Sequence, residues 1–236
     1  MLIFLDLETT GLELDDKMCS IGVIEDISFR YELVNEAKKI PPEASSIHHI
    51  TNEMIKDKKS FKKSEIYAFL EENNNQDTTL ISHNLKFNLD KLLSSGLEWR
   101  GAVIDTLRVS KHLIPECDFF GLQFLRYELK LYRDEKEEAL KLGIKDDIIA
   151  HNALFDALIT KLLFEYLLDF ASLEEMQELS FKNVLLSKFE FGKYKGHYIE
   201  EISLNDRGYL EWMLRNMSDL DEDLRFSLHY YLEGSL

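Results

Sequence analysis

The sequence contains little cysteine and no long apolar run. Its two cysteines, Cys19 and Cys117, do not form a CxxC pair. This excludes a thiolate metal site and predicts a protein of the reducing cytoplasm. No segment approaches the ~20 consecutive apolar residues that cross a bilayer, so we expect no membrane association. The chain begins Met-Leu-Ile-Phe-Leu-Asp without a basic segment, and we therefore expect no secretory signal peptide there.

Positive charge is also scarce. The 236 residues include 28 Lys and Arg against 44 Asp and Glu, which gives a formal net charge of −16 and a pI near 4.9. This balance argues against a protein that binds duplex nucleic acid through a broad basic face. It does not exclude a nuclease, because metal ions can screen a local acidic pocket. The length is sufficient for one large domain and a smaller one.

The apolar pattern predicts an α/β fold with a mixed sheet flanked by helices. Three strands are expected early, at residues 2–7, 17–27 and 29–34, and short strands follow at 78–82 and 102–104. Helices are expected at residues 61–72, 85–93, 121–129, 153–170 and 173–179. The charge-rich segment 133–147 fits either a helix or a loop, and Pro41-Pro42 predicts a loop. A domain boundary is predicted near residue 172.

Two acidic residues stand in the first predicted strand. Asp6 and Glu8 are two positions apart, so both side chains point to the same face of the strand. Burying two like charges together is unfavourable unless a cation or a shared proton compensates. Hard oxygen ligands favour Mg²⁺ or Mn²⁺. The alternative is a strand end with two solvated acids.

Two further segments have chemically active residues where a helix begins. Residues 82–90 (SHNLKFNLD) follow a short strand, at the kind of edge where α/β sheets place ligands. In residues 151–157 (HNALFDA), Asn152 is a plausible N-cap, which leaves His151 outside the helix. From there its imidazole could lie beside Asp156. A histidine near metal-held water is a typical general base at neutral pH.

These segments together resemble a known enzyme family. Residues 4–11 (FLDLETTG), 83–88 (HNLKFN) and 151–157 resemble motifs I, II and III of the DEDDh 3′–5′ exonucleases, the group of the DNA polymerase III proofreading subunit. Residues 44–51 (ASSIHHIT) and 105–107 (DTL) match further family segments. In the tail, residues 191–196 (FGKYKG) and 206–212 (DRGYLEW) resemble the C-terminal segment of X-type exodeoxyribonucleases.

The resemblance implies a fold and a mechanism. It predicts an RNase H-like exonuclease domain at residues 1–172 and an X-type tail at 173–236. It implies that two divalent metal ions, Mg or Mn, are held at Asp6, Glu8, Asp156 and position 88, with His151 deprotonating the attacking water. Thr9, Leu12 and Asn84 correspond to positions that contact the substrate. An equally good explanation of Thr9 is that it ends the strand, and an equally good explanation of Leu12 is that it packs against other residues.

One residue departs from the family pattern. Asn88 stands where the family has Asp. An amide oxygen can still bind a metal, but it supplies no charge, so one metal should bind more weakly. Asp90 lies two positions on, about 200° around a helix, so we expect a solvated acid rather than a replacement.

Other features leave alternatives open. His48 and His49 are expected to make local loop contacts rather than to bind metal. The tail mixes cations with aromatics around Lys193, Tyr194 and Tyr209, which is typical of a strand-binding surface and equally compatible with a packing module.

The leading functional hypothesis is a metal-dependent exonuclease acting on single-stranded or frayed DNA 3′ ends. The alternatives are an RNA 3′-end trimming exonuclease and a module that binds 3′ ends with impaired cleavage.

Overall fold

The computed structural model describes residues 1–145 and 149–234. A five-stranded sheet has the order β3-β2-β1-β4-β5. Its strands are β1 (Leu2–Thr9), β2 (Met18–Glu25), β3 (Ser28–Leu33), β4 (Thr79–Ser82) and β5 (Ala102–Asp105). β1 runs antiparallel to β2 and parallel to β4, β2 is antiparallel to β3, and β4 is parallel to β5. The predicted mixed sheet is therefore confirmed.

Along the chain, helices follow β3, β4 and β5. They are α1 (Pro42–His48), α2 (Asn52–Ile55), α3 (Glu65–Glu72), α4 (Leu85–Ser94), α5 (Thr106–Leu113), α6 (Leu122–Glu128), α7 (Glu135–Leu142), α8 (Ala153–Leu167), α9 (Leu173–Leu179), α10 (Ile199–Asn205), α11 (Arg207–Asn216) and α12 (Glu222–Glu233). Short 3₁₀ turns span Phe61–Lys63 and Leu131–Arg133.

The alternation of β1 creates two apolar cores. Ile3 and Leu5 point to one face, where they join a cluster that includes Leu92 of α4. Phe4 points to the other face and packs edge-on against Phe164 of α8, with ring centroids 5.4 Å apart. Asp6 and Glu8 have the same parity as Phe4. The acidic pair therefore lies on the α8 side of the sheet.

One expectation about local structure is wrong, and one open alternative is partly decided. Pro42 does not begin a loop but occupies the start of α1. Proline is favoured at the first helical position, because its missing N–H would have no partner within the helix. In the charge-rich segment, α7 forms at Glu135–Leu142 and ends at Gly143. The remainder of that segment includes residues 146–148, which lie outside the described residues.

The chain divides into two compact units, residues 1–180 and 181–236. The division lies eight residues beyond the predicted boundary after residue 172, because α9 belongs to the first unit. Met176 of α9 is fully buried in the cluster that includes Phe4, and the Ser180 hydroxyl accepts a 2.9 Å hydrogen bond from the Asp105 N–H. In the second unit, α10, α11 and α12 pack around their own cluster, which includes Leu210, Met213 and Leu228.

None of the helices in the described parts of the chain is long and apolar enough to cross a membrane.

Candidate active site

The α8 helix approaches the sheet at a glycine. Gly22 pairs with Asp6 in the register of β1 and β2. A Cβ added to Gly22 would lie 2.3 Å from the backbone of Ala153 and Leu154. Any side chain at this position would hold α8 away from the sheet. The glycine therefore allows the first turn of α8, which contains Asp156, to reach the two carboxylates of β1.

Three carboxylates meet at this contact. Ligand atoms of Asp6, Glu8 and Asp156 all lie within 4.8 Å of one another. Asp156 is buried, whereas Asp6 and Glu8 are partly accessible. This confirms the expectation that the two acids of β1 share a face, and it rules out the reading of two separate solvated acids.

The electrostatics of the cluster favour a cation. Burial, followed by the charges of Asp156 and Glu8, raises the pKa of Asp6 well above its usual range. Burial and the charge of Asp156 raise the pKa of Glu8 to about 8, and burial raises that of Asp156 to about 7. Without a cation the cluster would retain protons near neutral pH. A divalent ion would replace those protons and offset the repulsion.

Asn88 lies beside the cluster with its amide buried. Its Nδ2 donates to the Ser82 hydroxyl, which in turn donates a 2.8 Å hydrogen bond to the Leu5 carbonyl. The Asn88 side chain also hydrogen-bonds to Asp6 and lowers the pKa of that carboxyl. Among the described residues, its Oδ1 has no hydrogen-bond partner although it is buried. An unpartnered amide oxygen next to three carboxylates fits a site for Mg²⁺ or Mn²⁺.

His151 lies just outside α8, as expected. Asn152 caps the helix by accepting hydrogen bonds from the N–H groups of Leu154 and Phe155. His151 adopts a left-handed conformation with φ of 58° and is exposed. Its backbone N–H donates to the Asp156 carboxylate and lowers the pKa of that group. The action of its imidazole on water beside Asp156 stays a prediction.

The residues expected to contact substrate differ in exposure. Thr9 is buried, and its hydroxyl donates a 2.7 Å hydrogen bond to the Gly11 carbonyl. Leu12 is 84% exposed on the loop after β1. Asn84 is exposed at the start of α4, and its N–H donates to Asp105 Oδ1 at 3.1 Å.

The loop that presents Leu12 is tied down at its base. The Thr10 hydroxyl donates to Asp16 at 2.8 Å, and Asp16 also pairs with Lys38 at 2.8 Å. These contacts lower the pKa of Asp16 to about 2. The buried Lys91 of α4 donates to the backbone carbonyls of Glu13 and Asp16. Leu12 is therefore presented on an anchored loop.

Comparison with known proteins identifies the family. The model of the family described as Exonuclease (RNase_T) matches residues 3–164, more than half of the chain. The chain belongs to the exonuclease family. A second model, the Exodeoxyribonuclease X-like C-terminal family, matches residues 189–218. The family, the RNase H-like fold and the carboxylate cluster together make this chain a nuclease.

Individual relatives agree with this assignment. Exodeoxyribonuclease 10 of Escherichia coli (strain K12) is 28% identical over 240 residues, with full coverage of both chains. DNA polymerase III PolC-type of Thermotoga maritima is 26% identical over 97% of this chain but only 16% of its own length. The solved structure "Exonuclease X in complex with 5′ overhanging duplex DNA" matches with a TM-score of 0.58 and 23% identity, covering 76% of this chain and 99% of that one. At that identity the match supports the fold.

Sequence reasoning missed the support for Asp156 in this exonuclease. Gln123 of α6 donates a 2.6 Å hydrogen bond to Asp156 Oδ1, and the Gln123 carbonyl oxygen accepts from Arg126 at 3.1 Å. Arg126 in turn forms a buried, two-pronged ion pair with Glu135, with both contacts at 2.7 Å. Gln123 lies 33 residues before Asp156, so nothing in the local sequence pattern indicates the contact.

Two histidines have structural partners in this exonuclease. His48 accepts a 3.0 Å hydrogen bond from the Ile50 N–H at Nδ1, which leaves Nε2 to donate to the Thr9 carbonyl at 3.2 Å. This matches the expected local contact and also fixes the end of β1. His83 lies 3.0 Å from the Thr106 hydroxyl and 2.8 Å from the Phe120 carbonyl. Burial lowers the pKa of His83 to about 4, so its ring is neutral at physiological pH.

Asp90 does not replace the missing carboxylate. It is exposed and forms a 3.3 Å ion pair with Lys86 on the surface of α4. Among the described residues, the carboxylates that lie close enough together to hold a metal ion here are those of Asp6, Glu8 and Asp156.

Proposed function

We propose that this exonuclease removes nucleotides one at a time from the 3′ ends of DNA, using two divalent metal ions, Mg²⁺ or Mn²⁺. The convergence of Asp6, Glu8 and Asp156 is the observation that carries the proposal. The full-length match to Exodeoxyribonuclease 10 and the matching tail support DNA as the substrate.

The proposed metal ligands are of two kinds, charged and neutral oxygens. Asp6, Glu8 and Asp156 would supply charged oxygens, and Asn88 Oδ1 would supply a neutral one. Bound metal supplies positive charge, which activates water and stabilises the leaving oxygen at a phosphodiester. Asp6 and Glu8 are partly accessible, so a terminal phosphate could reach the cluster.

His151 would act on the attacking water. It lies on the loop before α8, and its backbone N–H is fixed to Asp156 while its ring is exposed. In the proposed reaction the imidazole accepts a proton from water, and the water oxygen bonds to phosphorus. The bond between phosphorus and the 3′ oxygen of the preceding nucleotide breaks, and that oxygen leaves and takes a proton from solvent. Thr9, Leu12 and Asn84 would contact the terminal nucleotide around the same loop and helix start.

Asn88 should make this enzyme dependent on high metal concentration. Two divalent ions close together repel each other, and carboxylates offset that repulsion. The present set provides three negative charges, one fewer than in a family member with Asp at position 88. We therefore propose that one of the two ions binds more weakly. We also propose that the first unit is the catalytic part and that the protein is located in the reducing cytoplasm.

The test is cleavage of matched DNA and RNA strands that are labelled at the 5′ end. With Mn²⁺, DNA should be shortened stepwise from its 3′ end, and EDTA should stop the reaction. Faster shortening of RNA would replace DNA with RNA as the substrate. Binding of 3′ ends without shortening in Mn²⁺ would instead indicate the binding module that the Asn88 substitution suggests.

A further inference from the structure

The second unit contains a turn with cations and no acids. Residues 191–198 (FGKYKGHY) include Lys193 and Lys195 but neither Asp nor Glu, in a chain with net charge −16. Gly192 and Gly196 have φ of 76° and 84°, conformations that other residues rarely adopt. The Gly196 N–H donates to the Phe189 carbonyl at 2.7 Å and closes the turn. The lysines are therefore displayed on a defined backbone.

Aromatic rings lie directly under this turn. Lys193 Nζ is 4.5 Å from the ring centroid of Tyr194 and 5.6 Å from that of Tyr209. The Tyr194 and Tyr209 rings meet edge-on with centroids 5.0 Å apart. Trp212 stacks on Tyr209 at 6.1 Å with an interplanar angle of 23°. Cations and rings thus form one continuous group.

Packing accounts for one face of α11 but not for Trp212. Leu210 and Met213 are fully buried in the core of the second unit, whereas 51% of Trp212 is exposed. Exposing half of an indole costs hydrophobic free energy that burial would recover. The stacked Tyr209 orders the Trp212 ring and leaves the rest of it accessible. Packing in this core therefore explains Leu210 and Met213 and part of Tyr209, but it does not explain Trp212.

Two acids beside these rings, Asp206 and Glu211, are already paired. Asp206 accepts hydrogen bonds from Lys193 at 3.2 Å and from the Tyr194 hydroxyl at 2.6 Å. Glu211 pairs with Arg207 at 3.2 Å and with Arg215 at 3.4 Å. These contacts hold the lysine and the two arginines in place on the surface.

We propose that this aromatic–basic surface, defined as Lys193, Tyr194, Lys195, Tyr209 and Trp212, binds single-stranded DNA. A base would stack on the exposed Trp212 ring, while Lys193 and Lys195 would contact neighbouring phosphates. A single strand fits because a duplex keeps its base faces stacked inside. The proposal deepens the proposed function by adding a second contact for the same substrate, and it concerns binding rather than cleavage.

Binding by the full chain in EDTA tests the proposal, because cleavage does not then interfere. Trp212→Ala should weaken binding of an oligothymidylate about 10-fold, since stacking contributes ~1–3 kcal/mol per base. Phe181→Ala is the matched control, because it removes a ring that is 73% exposed in the same unit. The logarithm of the binding constant falls linearly with the logarithm of the salt concentration, with a slope of ~0.7 per phosphate contact on single strands. Changing both Lys193 and Lys195 to Gln removes two such contacts and should reduce this slope by about 1.4.

Fluorescence provides a readout that a purely structural role would not move. Trp99 and Trp212 are the two tryptophans. In the Trp99→Phe variant all tryptophan emission comes from Trp212. An oligothymidylate whose base stacks on Trp212 should quench that emission. A strand of equal length without bases should quench it much less.

Three outcomes separate the possibilities. Unquenched Trp212 emission, or wild-type affinity and salt slope in the variants, would overturn the proposal. Trp212-dependent binding by a chain that never cleaves would uphold it while contradicting the proposed catalysis. If Trp212→Ala fails to fold, the Trp99→Phe measurement decides alone.

Discussion

The backbone of Ala153 lies where a side chain on Gly22 would have to be. A Cβ at Gly22 would come within 2.3 Å of the Ala153 carbonyl carbon, and backbone atoms do not move aside as a flexible side chain does. Since Gly22 pairs with Asp6, this contact sets the distance between β1 and the α8 carboxylate.

Gly22→Ala should therefore separate Asp156 from the β1 carboxylates. We expect a loss of ~1–3 kcal/mol in the free energy of unfolding, the usual scale for overpacking a core. Mn²⁺ affinity should fall as well. Urea unfolding and calorimetric Mn²⁺ titration check the two effects. Gly208→Ala is the control, because a Cβ there would meet no atom within 4 Å. Equal Mn²⁺ affinity in the Gly22 variant would contradict the role of this contact.

Gln123 should matter through Asp156. Gln123→Leu keeps the approximate volume but removes the 2.6 Å hydrogen bond to Asp156 Oδ1. Removing a hydrogen-bond partner that orients a metal ligand typically lowers metal affinity 10- to 100-fold. We expect Gln123→Leu to lower the affinity for Mn²⁺ about 10-fold. Gln177→Leu provides the comparison, because Gln177 donates instead to the Thr79 hydroxyl. Similar Mn²⁺ affinities in the two variants would show that Gln123 does not position Asp156.

His151 should affect catalysis without affecting metal binding. His151→Ala should lower the cleavage rate about 10²-fold or more, the scale of a lost general base. Mn²⁺ affinity should stay close to that of the unmodified chain, because the carboxylate cluster is intact. His229→Ala, which removes another exposed histidine, should have little effect on the rate. A near-full rate in His151→Ala would mean that another group accepts the proton.

His83 should make the fold sensitive to acid. Burial lowers its pKa to about 4 from the ordinary 6.5, so the folded protein disfavours the charged ring. The stability contributed by neutral His83 is complete above pH 6.5 and is lost as the pH falls from 6.5 through 4. At ~1.4 kcal/mol per pKa unit, and allowing for partial exposure of the ring, the loss is about 2 kcal/mol.

The test for His83 uses a difference between two proteins. The raised pKa values of Glu8 and Asp156 act in the opposite direction, because their protonated forms favour the folded state at lower pH. Urea midpoints of the unmodified chain and of His83→Asn should therefore be compared from pH 7 to pH 4. The difference between the two urea midpoints should shrink as the pH falls, because only the unmodified chain loses the stability contributed by neutral His83. A constant gap would show that His83 does not titrate in this way.

Strand parity and capping chemistry made much of the site predictable. The two-residue spacing of Asp6 and Glu8 places both on one face, and the structure agrees. Asn152 is a typical N-cap, and it caps α8 with His151 outside the helix. These predictions succeeded because each depends on residues close together in sequence.

Other features depend on tertiary structure. Gln123 contacts Asp156 across 33 residues, and Gly22 matters because of a helix that starts at Ala153. No helix is predicted for residues 199–233, whereas the structure contains α10, α11 and α12 there. Helices of this length are marginal alone and are stabilised mainly by packing, so local propensity signals them weakly. Pro42 starts a helix although proline usually disrupts one, because the first helical position needs no N–H donor.

The most direct test of the account is the rate of DNA shortening as Mg²⁺ and Mn²⁺ concentrations are raised, for the unmodified chain and for Asn88→Asp in parallel. The account predicts no shortening in EDTA, and a rate that rises with metal and reaches half its maximum at lower Mn²⁺ than Mg²⁺. Asn88→Asp should raise the rate at limiting Mg²⁺ much more than at saturation, because it restores a charged ligand. Shortening in EDTA, or none by either protein at any metal concentration, would contradict a metal-dependent exonuclease site built on Asp6, Glu8, Asn88 and Asp156.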